Sequence, residues 1–303
     1  MIAVTGAAGF IGRHLVADLR GGGDDVVGLD RRPGADIVAD LVADDIALDV
    51  VRSADAVFHL AGAGGVRRSG RTAEATWWRD NVLATDAVLR AVPRSTPLVV
   101  ASSSSVYGGT AGRACREGDP LRPRGGYARS KLAVERLTRR RLAAGGHVAV
   151  ARPFTVAGEH QRPDMALARW IAAAAAGEPL RVFGSPARRR DVTDVRQVVA
   201  VLVAMARREV LGSLNVGTGT SFTLREMVDA VVEAVGPAEI VVERAHRDEV
   251  EASLADTGRC RRLLGFVPVT DLAALVRRQA AAAGAAATGG GPAEVLRPAS
   301  ASA

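Results

Sequence analysis

The sequence predicts an α/β fold: a Rossmann-type doubly wound parallel sheet with a smaller, partly discontinuous C-terminal substrate-binding domain. Three observations carry that expectation. From residue 1 to about 155, short apolar runs alternate with amphipathic stretches, the pattern of strands joined by crossover helices. The first such unit is a strand, a glycine turn and a helix. Beyond Val156 the strict alternation breaks. The expected division is 1–155 for the dinucleotide-binding domain, rejoined by 191–216. The second domain then takes 156–190 and 217–282, leaving 283–303, rich in alanine and glycine, as a disordered tail.

Met1–Val4 is apolar and runs into Thr5-Gly6-Ala7-Ala8-Gly9-Phe10-Ile11-Gly12, followed by an amphipathic helix to about Arg20. Gly6 permits a tight turn, Gly9 lets a pyrophosphate approach the backbone, and Gly12 allows close helix packing. The phosphates then rest on the helix N-terminus, over Phe10 and Ile11. Strand two, Asp25–Leu29, ends at Asp30, where an acid binds the adenosine ribose hydroxyls. A carboxylate there repels a 2′-phosphate and favours NAD, although Arg31 and Arg32 follow at once and can accept that phosphate. Asp40-Leu41 follows a short third strand; Asp40 is placed either against the adenine amine or as a helix N-cap. The fourth strand, Ala56–Leu60, runs into Ala61-Gly62-Ala63-Gly64-Gly65, small residues that let a cofactor lie close. His59 reads as a packed histidine. Residues 73–92 form a long helix containing Asn81, with Trp77 and Trp78 as packing residues. Pro97–Ala101 is the fifth strand, and Ser102 to Gly108 stand at its C-terminal end, the edge where open α/β sheets place their chemistry. The sixth strand is Val148–Arg152. Later elements are helices over 166–176 and 194–208 and the strand Ser213–Val216.

Between strands five and six lies Tyr127-Ala128-Arg129-Ser130-Lys131. Lys131 is the sole lysine of the chain; the other side chains counted among its 40 lysines and arginines are all arginine. A compact, desolvatable cation was kept here in place of an always-charged planar fork. Tyr127 stands four residues earlier, one helical turn away on the same face. An ammonium beside a phenol favours phenolate, so this spacing predicts a lowered tyrosine pKa and a general base.

Composition narrows the function classes. At 48% hydrophobic and 24% charged, this is an ordinary soluble composition. No apolar run is long enough for a bilayer, and the alanine run 171–176 is far too short. No leader-like segment precedes Ile2, and Cys115 and Cys260 stand alone, without the spacing of a disulfide framework or a metal site. A cytoplasmic protein is expected, with no metal and no membrane partner. The net charge of +7 does not indicate nucleic acid, because the arginines are scattered among acids and aromatics are only 4%.

With these residues in view, the chain resembles the extended short-chain dehydrogenase/reductase family, in its NAD-dependent epimerase/dehydratase branch. The likeness runs from residue 1 to about 278. It is carried by Thr5-Gly6-x-x-Gly9-x-x-Gly12, His59-Leu60-Ala61, Asn81, Ser103 to Gly108, Pro123-x-x-x-Tyr127-x-x-x-Lys131, Arg190-Asp191 and Asn215 to Gly219. Within the branch it is most similar to UDP-glucuronate 4-epimerases, through Gly65-Val66-Arg67, Thr155 and Gln161 to Ala166. Two departures stand out: Ala157 replaces a usual tyrosine, and His246 falls where relatives carry an arginine reaching the nucleotide phosphates.

The resemblance implies an enzyme that binds NAD and a UDP-linked uronate and forms a homodimer through a four-helix bundle. Ser103, Tyr127 and Lys131 are the implied catalytic residues. Gly6, Gly9, Phe10, Ile11, Gly12, Asp30, Arg31, Asp40, Leu41, Leu60, Ala61, Gly62 and Asn81, with Tyr127 and Lys131, hold the cofactor. Arg67, Ser104, Ser105, Thr155, Arg162, Arg190 and His246 contact the substrate. The implied reaction oxidises C-4 to a transient ketone and reduces it on the other face. A 4-keto uronate is a β-keto acid, so hydroxyls and an arginine must hold its carboxylate away from the alignment that releases carbon dioxide. Decarboxylases commonly carry a glutamate at the position of Ser105, and 4,6-dehydratases an Asp-Glu pair at Ser104-Ser105; neither is present. A nucleotide-sugar 4-ketoreductase and a UDP-glucuronate decarboxylase are the enzyme alternatives. A dinucleotide-sensing regulator would typically lose the Tyr/Lys pair, which is complete here.

Overall fold

The computed structural model describes residues 1–65, 70–110, 112–246, 248–284 and 296–298. The chain opens with β1 (Ile2–Thr5), α1 (Phe10–Gly21), β2 (Val26–Asp30), β3 (Ile37–Val38), α2 (Asp45–Ser53) and β4 (Ala56–His59). A long helix follows in three registers: α3 (Arg71–Trp77), a π-helical segment Trp78–Leu83, and α4 (Ala84–Ala91). After β5 (Leu98–Ala101), the serine run forms a 3-10 turn over Ser104–Tyr107, capped by Ser103 Oγ accepting from Ser105 N at 3.1 Å. Then come α5 (Gly125–Ala143) and β6 (Val148–Pro153).

Further on are β7 (Thr155–Ala157), α6 (Ala166–Ala175), β8 (Leu180–Phe183), β9 (Arg189–Arg190), β10 (Val192–Asp194) and α7 (Val195–Arg207). The chain continues through β11 (Gly212–Val216), β12 (Phe222–Thr223), α8 (Leu224–Val235), β13 (Ile240–Glu243), α9 (Gly258–Leu264), α10 (Leu272–Ala282) and β14 (Leu296–Pro298). Most of the expected tail 283–303 lies outside the described residues.

Seven strands pair in the order β11-β6-β5-β4-β1-β2-β3, all parallel. Both faces are covered, which is why these strands read as continuous apolar runs rather than alternating ones. On one face α1 and α7 pack through Leu15, Leu19, Val198 and Leu202 against Val4 and Phe58. On the other, Val51, Val88 and Val134 of α2, α4 and α5 meet Leu29 and Leu98. A further core gathers α6, α8 and α10 against β8 and β13 through Leu167, Ile171, Leu180, Val228 and Leu275.

Strand order reverses at β1, which pairs with β2 on one side and β4 on the other. Such a switch opens a crevice beyond the C-terminal strand ends. Asp191, fully buried between β9 and β10, ties three chain segments together. Its carboxylate accepts from Thr218 N and Oγ1, Gly219 N and Ala255 N at 2.9–3.1 Å. Burial pushes this carboxyl above its usual range, against the pull of those donors.

Candidate active site

A cavity of about 1270 Å³ runs from the glycine turn, past the ends of β2, β4 and β5, to α6. A single-ligand pocket is roughly 300–1,000 Å³, so this one is large enough for a dinucleotide and a second ligand. Gly6, with φ +75°, turns the chain under β4; a Cβ there would meet Ala61 N at 2.6 Å. A Cβ on Gly12 would collide with the Gly6 carbonyl. No side chain caps α1 and no acid stands in its first turn, so its N-terminus is open to an anion.

Asp30 accepts from Ala8 N at 3.2 Å and from Arg32 N, Nε and Nη2 at 3.0–3.3 Å. Arg31 is held by Asp80 through Nη1 and Nη2 at 2.9 and 2.7 Å. Asp40 accepts from Val42 N and from Arg79 Nη2; it does not cap α2, whose N-cap is Asp44. Phe10, Ile11, Leu41, Leu60, Ala61 and Gly62 also line the cavity. Asn81 is instead fully buried beneath it. Its side chain exchanges hydrogen bonds with Ala63 N and O, at 2.8 and 3.1 Å, and donates to Ser130 Oγ. It therefore fixes the glycine loop to α5. His59 is packed as expected, bridging Thr5 Oγ1 and Thr85 Oγ1, and is pushed down to about 3 by burial and by the Lys131 charge.

Tyr127, Lys131 and Ser103 converge at the middle of the cavity. Lys131 is 6% exposed, and its Nζ donates to Ala101 O at 2.9 Å, at the end of β5. Burial lowers its pKa to about 8, with Glu135 one turn on opposing the shift. The tyrosine corrects the sequence expectation. Burial raises the Tyr127 phenol above its ordinary value; a hydrogen bond from Ser103 and the charge of Arg162 pull it down. Lys131 Nζ directs one of its three N–H donors to Ala101 O, and the charge that pulls on the phenol is that of Arg162, from another part of the chain.

Arg162 reaches back over the glycine loop, so that a Cβ on Gly64 would collide with its guanidinium. Its Nε and Nη2 donate to Asp164 at 2.9 Å each. Ser104, Ser105, Thr155 and Arg190 line the same cavity. Among the described residues, Ser105 Oγ has no hydrogen-bond partner although it is buried. Arg190 donates to the carbonyls of Arg189 and Glu251. His246 does not line the cavity and turns to Asp248, whose backbone N donates to its Nδ1 at 3.3 Å; Asp248 and Glu249 line it instead. Arg67 lies outside the described residues.

Sequence reasoning missed two features. Arg79 and Asp80 line the adenosine end, signalled only by alternating charges beside Asn81. Beneath Ser103, Tyr127 and Lys131 runs a buried chain: Ser102 Oγ donates to Glu135, Arg152 donates to Glu135 and Tyr107 Oη, and Tyr107 Oη donates to Asn215 Oδ1. Glu135 stands four residues after Lys131 and Arg152 precedes Pro153, but nothing in the sequence says that they meet.

Comparison with known proteins agrees with this geometry. The profile of the NAD dependent epimerase/dehydratase family matches residues 2–217. The uncharacterized UDP-glucose epimerase YtcB of Bacillus subtilis (strain 168) is 30% identical over 298 residues, covering 89% of this chain and 94% of that protein. MoeE5, solved in complex with UDP-glucuronic acid and NAD, is 37% identical with a TM-score of 0.85, covering 93% of this chain and 98% of the other. The UDP-glucuronic acid 4-epimerase from Bacillus cereus, solved with UDP-glucuronic acid and NAD, is 26% identical with a TM-score of 0.86 and the same coverage. The open helix terminus, the glycine turn and Asp30 fit the dinucleotide. On these grounds the chain belongs to the NAD-dependent epimerase/dehydratase family and uses NAD as its cofactor.

Proposed function

We propose that the protein is a 4-epimerase of a nucleotide-linked hexuronic acid, interconverting UDP-glucuronate and UDP-galacturonate. The observation that carries this reading is the placement of Arg162 beside the Tyr127–Ser103 pair, on a cavity wall that carries serines at 103–105. Two structural neighbours that hold UDP-glucuronic acid support it. The segments 156–190 and 217–282 form the nucleotide-sugar domain in this reading. Exposed Trp78 and Leu83 on the helix beside α5 fit a homodimer through a four-helix bundle. Two free, buried cysteines fit a reducing, cytoplasmic setting.

Bound NAD supplies a reversible oxidant for a secondary alcohol. The turn from Gly6 to Gly12 would hold its pyrophosphate, Asp30 its adenosine ribose, and Tyr127 with Lys131 its nicotinamide end. Tyr127 takes the proton of the sugar 4-hydroxyl and later returns it, acting as base and then as acid. Its raised pKa means that the phenolate must be supported at the moment of transfer, and Ser103 and Arg162 supply that support. Arg162 has a second task. A uronate carboxylate entering the site can replace Asp164 on the guanidinium fork, exchanging one two-point ion pair for another. Held there, with hydroxyls from Ser104, Ser105 and Thr155, the carboxylate stays out of line with the ketone π system. The unpartnered Ser105 Oγ is a group that such a ligand would satisfy.

The test is incubation with UDP-glucuronate, without and with added NAD, followed by proton NMR. UDP-galacturonate forming without net NADH is the expected result. UDP-xylose or a 4-keto pentose would make the protein a decarboxylase, and absence of turnover would overturn the uronate assignment.

A further inference from the structure

The adenosine end of the cavity is lined by three arginines and three aspartates: Arg31, Arg32, Arg79, Asp30, Asp40 and Asp80. An acid at the end of the second strand commonly explains preference for NAD, by repelling a 2′-phosphate. Here that acid is itself covered. Arg32 folds back on Asp30 through its backbone N and through Nε and Nη2, which leaves the carboxylate with little unopposed charge. Arg31, the next residue after Asp30, then stands where a guanidinium would welcome a 2′-phosphate. Asp80 takes it first. The Asp80 side chain is 8% exposed and receives both terminal nitrogens of Arg31, at 2.9 and 2.7 Å, while Arg79 Nη1 donates to it at 3.0 Å. Arg79 is in turn tied to Asp40 at 2.6 Å.

We propose that Asp80 is a specificity-determining residue for the cofactor: by holding Arg31 in a two-point ion pair, it withholds the guanidinium that would receive a 2′-phosphate. The guanidinium fork matches carboxylate and phosphate alike, so Asp80 and a 2′-phosphate compete for the same donors. Asp80 competes from a fixed position, because it lies within the π-helical segment Trp78–Leu83 and its neighbour Asn81 is held under the glycine loop. π-Helical insertions are frequent at functional sites, and this one sets two adjacent side chains to two different tasks. With Arg31, Arg32 and Arg79 already paired, an incoming 2′-phosphate finds no free cation among the described residues that line that end.

The test uses the full-length chain as wild type, D80A, D80N and R31A/D80A. Each is equilibrated with equal concentrations of NAD and NADP and separated from free nucleotide; the bound nucleotides are then quantified by chromatography, with calorimetric Kd values alongside. D80A should raise the bound NADP to NAD ratio at least about tenfold, the scale of one released charge-assisted hydrogen bond. D80N should move it in the same direction by less, and R31A/D80A should return it to near the wild-type ratio. If D80A does not fold, D80N decides. The proposal is overturned if folded D80A and D80N leave the ratio unchanged, if the rise persists without Arg31, or if the wild type already retains NADP better than NAD.

Discussion

Replacing Glu135 by glutamine strikes the buried pair beneath Tyr127 and Lys131, and its cost follows from the contacts. The Glu135 side chain is fully buried and that of Arg152 is 4% exposed. The carboxylate receives Arg152 Nε at 2.8 Å, Arg152 Nη2 at 2.7 Å and Ser102 Oγ at 2.7 Å. Glutamine keeps one acceptor oxygen and turns an NH2 toward a donor, so at least one guanidinium hydrogen bond is lost and the arginine keeps an unbalanced charge. Removing one partner of a buried pair costs about 3–5 kcal/mol. At about 2–4 °C per kcal/mol for a large domain, Tm should fall by roughly 6–20 °C. Differential scanning calorimetry and urea denaturation measure it. A double variant, E135L/R152M, should melt well above E135Q, because matched apolar replacements of buried pairs are often neutral or better. Arg152 also holds Tyr107 Oη and the Glu117 carbonyl, so recovery should stop short of wild type. An E135Q protein melting within about 1 °C of wild type would refute the argument, since no buried charge would then depend on Glu135.

Other perturbations separate the roles of the site residues. Y127F should lower kcat by about 10²–10⁴-fold, the usual weight of a general acid–base, while NAD binding by calorimetry stays within a few-fold; turnover near wild type would remove Tyr127 as the base. In G64A the new methyl displaces the Arg162 guanidinium, a flexible side-chain end. KM for the uronate should rise about tenfold or more, the scale of one charge-assisted contact, with little change in Tm; an unchanged KM would detach Arg162 from the carboxylate. For Lys131 the sign of the pH effect is fixed by its folded pKa of about 8 against an ordinary 10.5. Between those values the unfolded chain binds more protons than the folded one, so unfolding free energy gains a term that rises with pH. Urea midpoints at pH 8 and pH 10 should show that rise in the wild type relative to K131M, and equal slopes would contradict a desolvated lysine.

The parts of the fold visible in the sequence were those that nearby residues determine. The Gly6–Gly12 turn, the apolar strands and the one-turn spacing of Tyr127 and Lys131 each need only local chain. The site's electrostatics follow a different logic. Arg31 and Asp80 are 49 positions apart, Glu135 and Arg152 are 17 apart, and an arginine-rich chain offers each acid many partners. Which pairs form is decided by packing of α3, the π-helical segment and α5 against the sheet. The π register itself has no local signature in Trp78-Arg79-Asp80-Asn81. The Tyr127 phenol differs from the expectation for the same reason: burial, which spacing does not report, raises its pKa, and the groups that oppose the rise, Ser103 and Arg162, come from distant parts of the chain.

The single lysine was the exception, a tertiary fact legible in composition. Lys131 lies under Gly62, where an added Cβ would stand 3.4 Å from Nζ and 2.6 Å from Asn81 Oδ1. An arginine would need room for a planar fork and partners for five N–H donors, while the lysine sends Nζ to the single carbonyl of Ala101. It would also stay charged at every accessible pH, whereas burial brings Lys131 to about 8, near enough to neutrality to give up or share a proton. A chain that uses arginine at every other lysine-or-arginine position keeps lysine at this buried one.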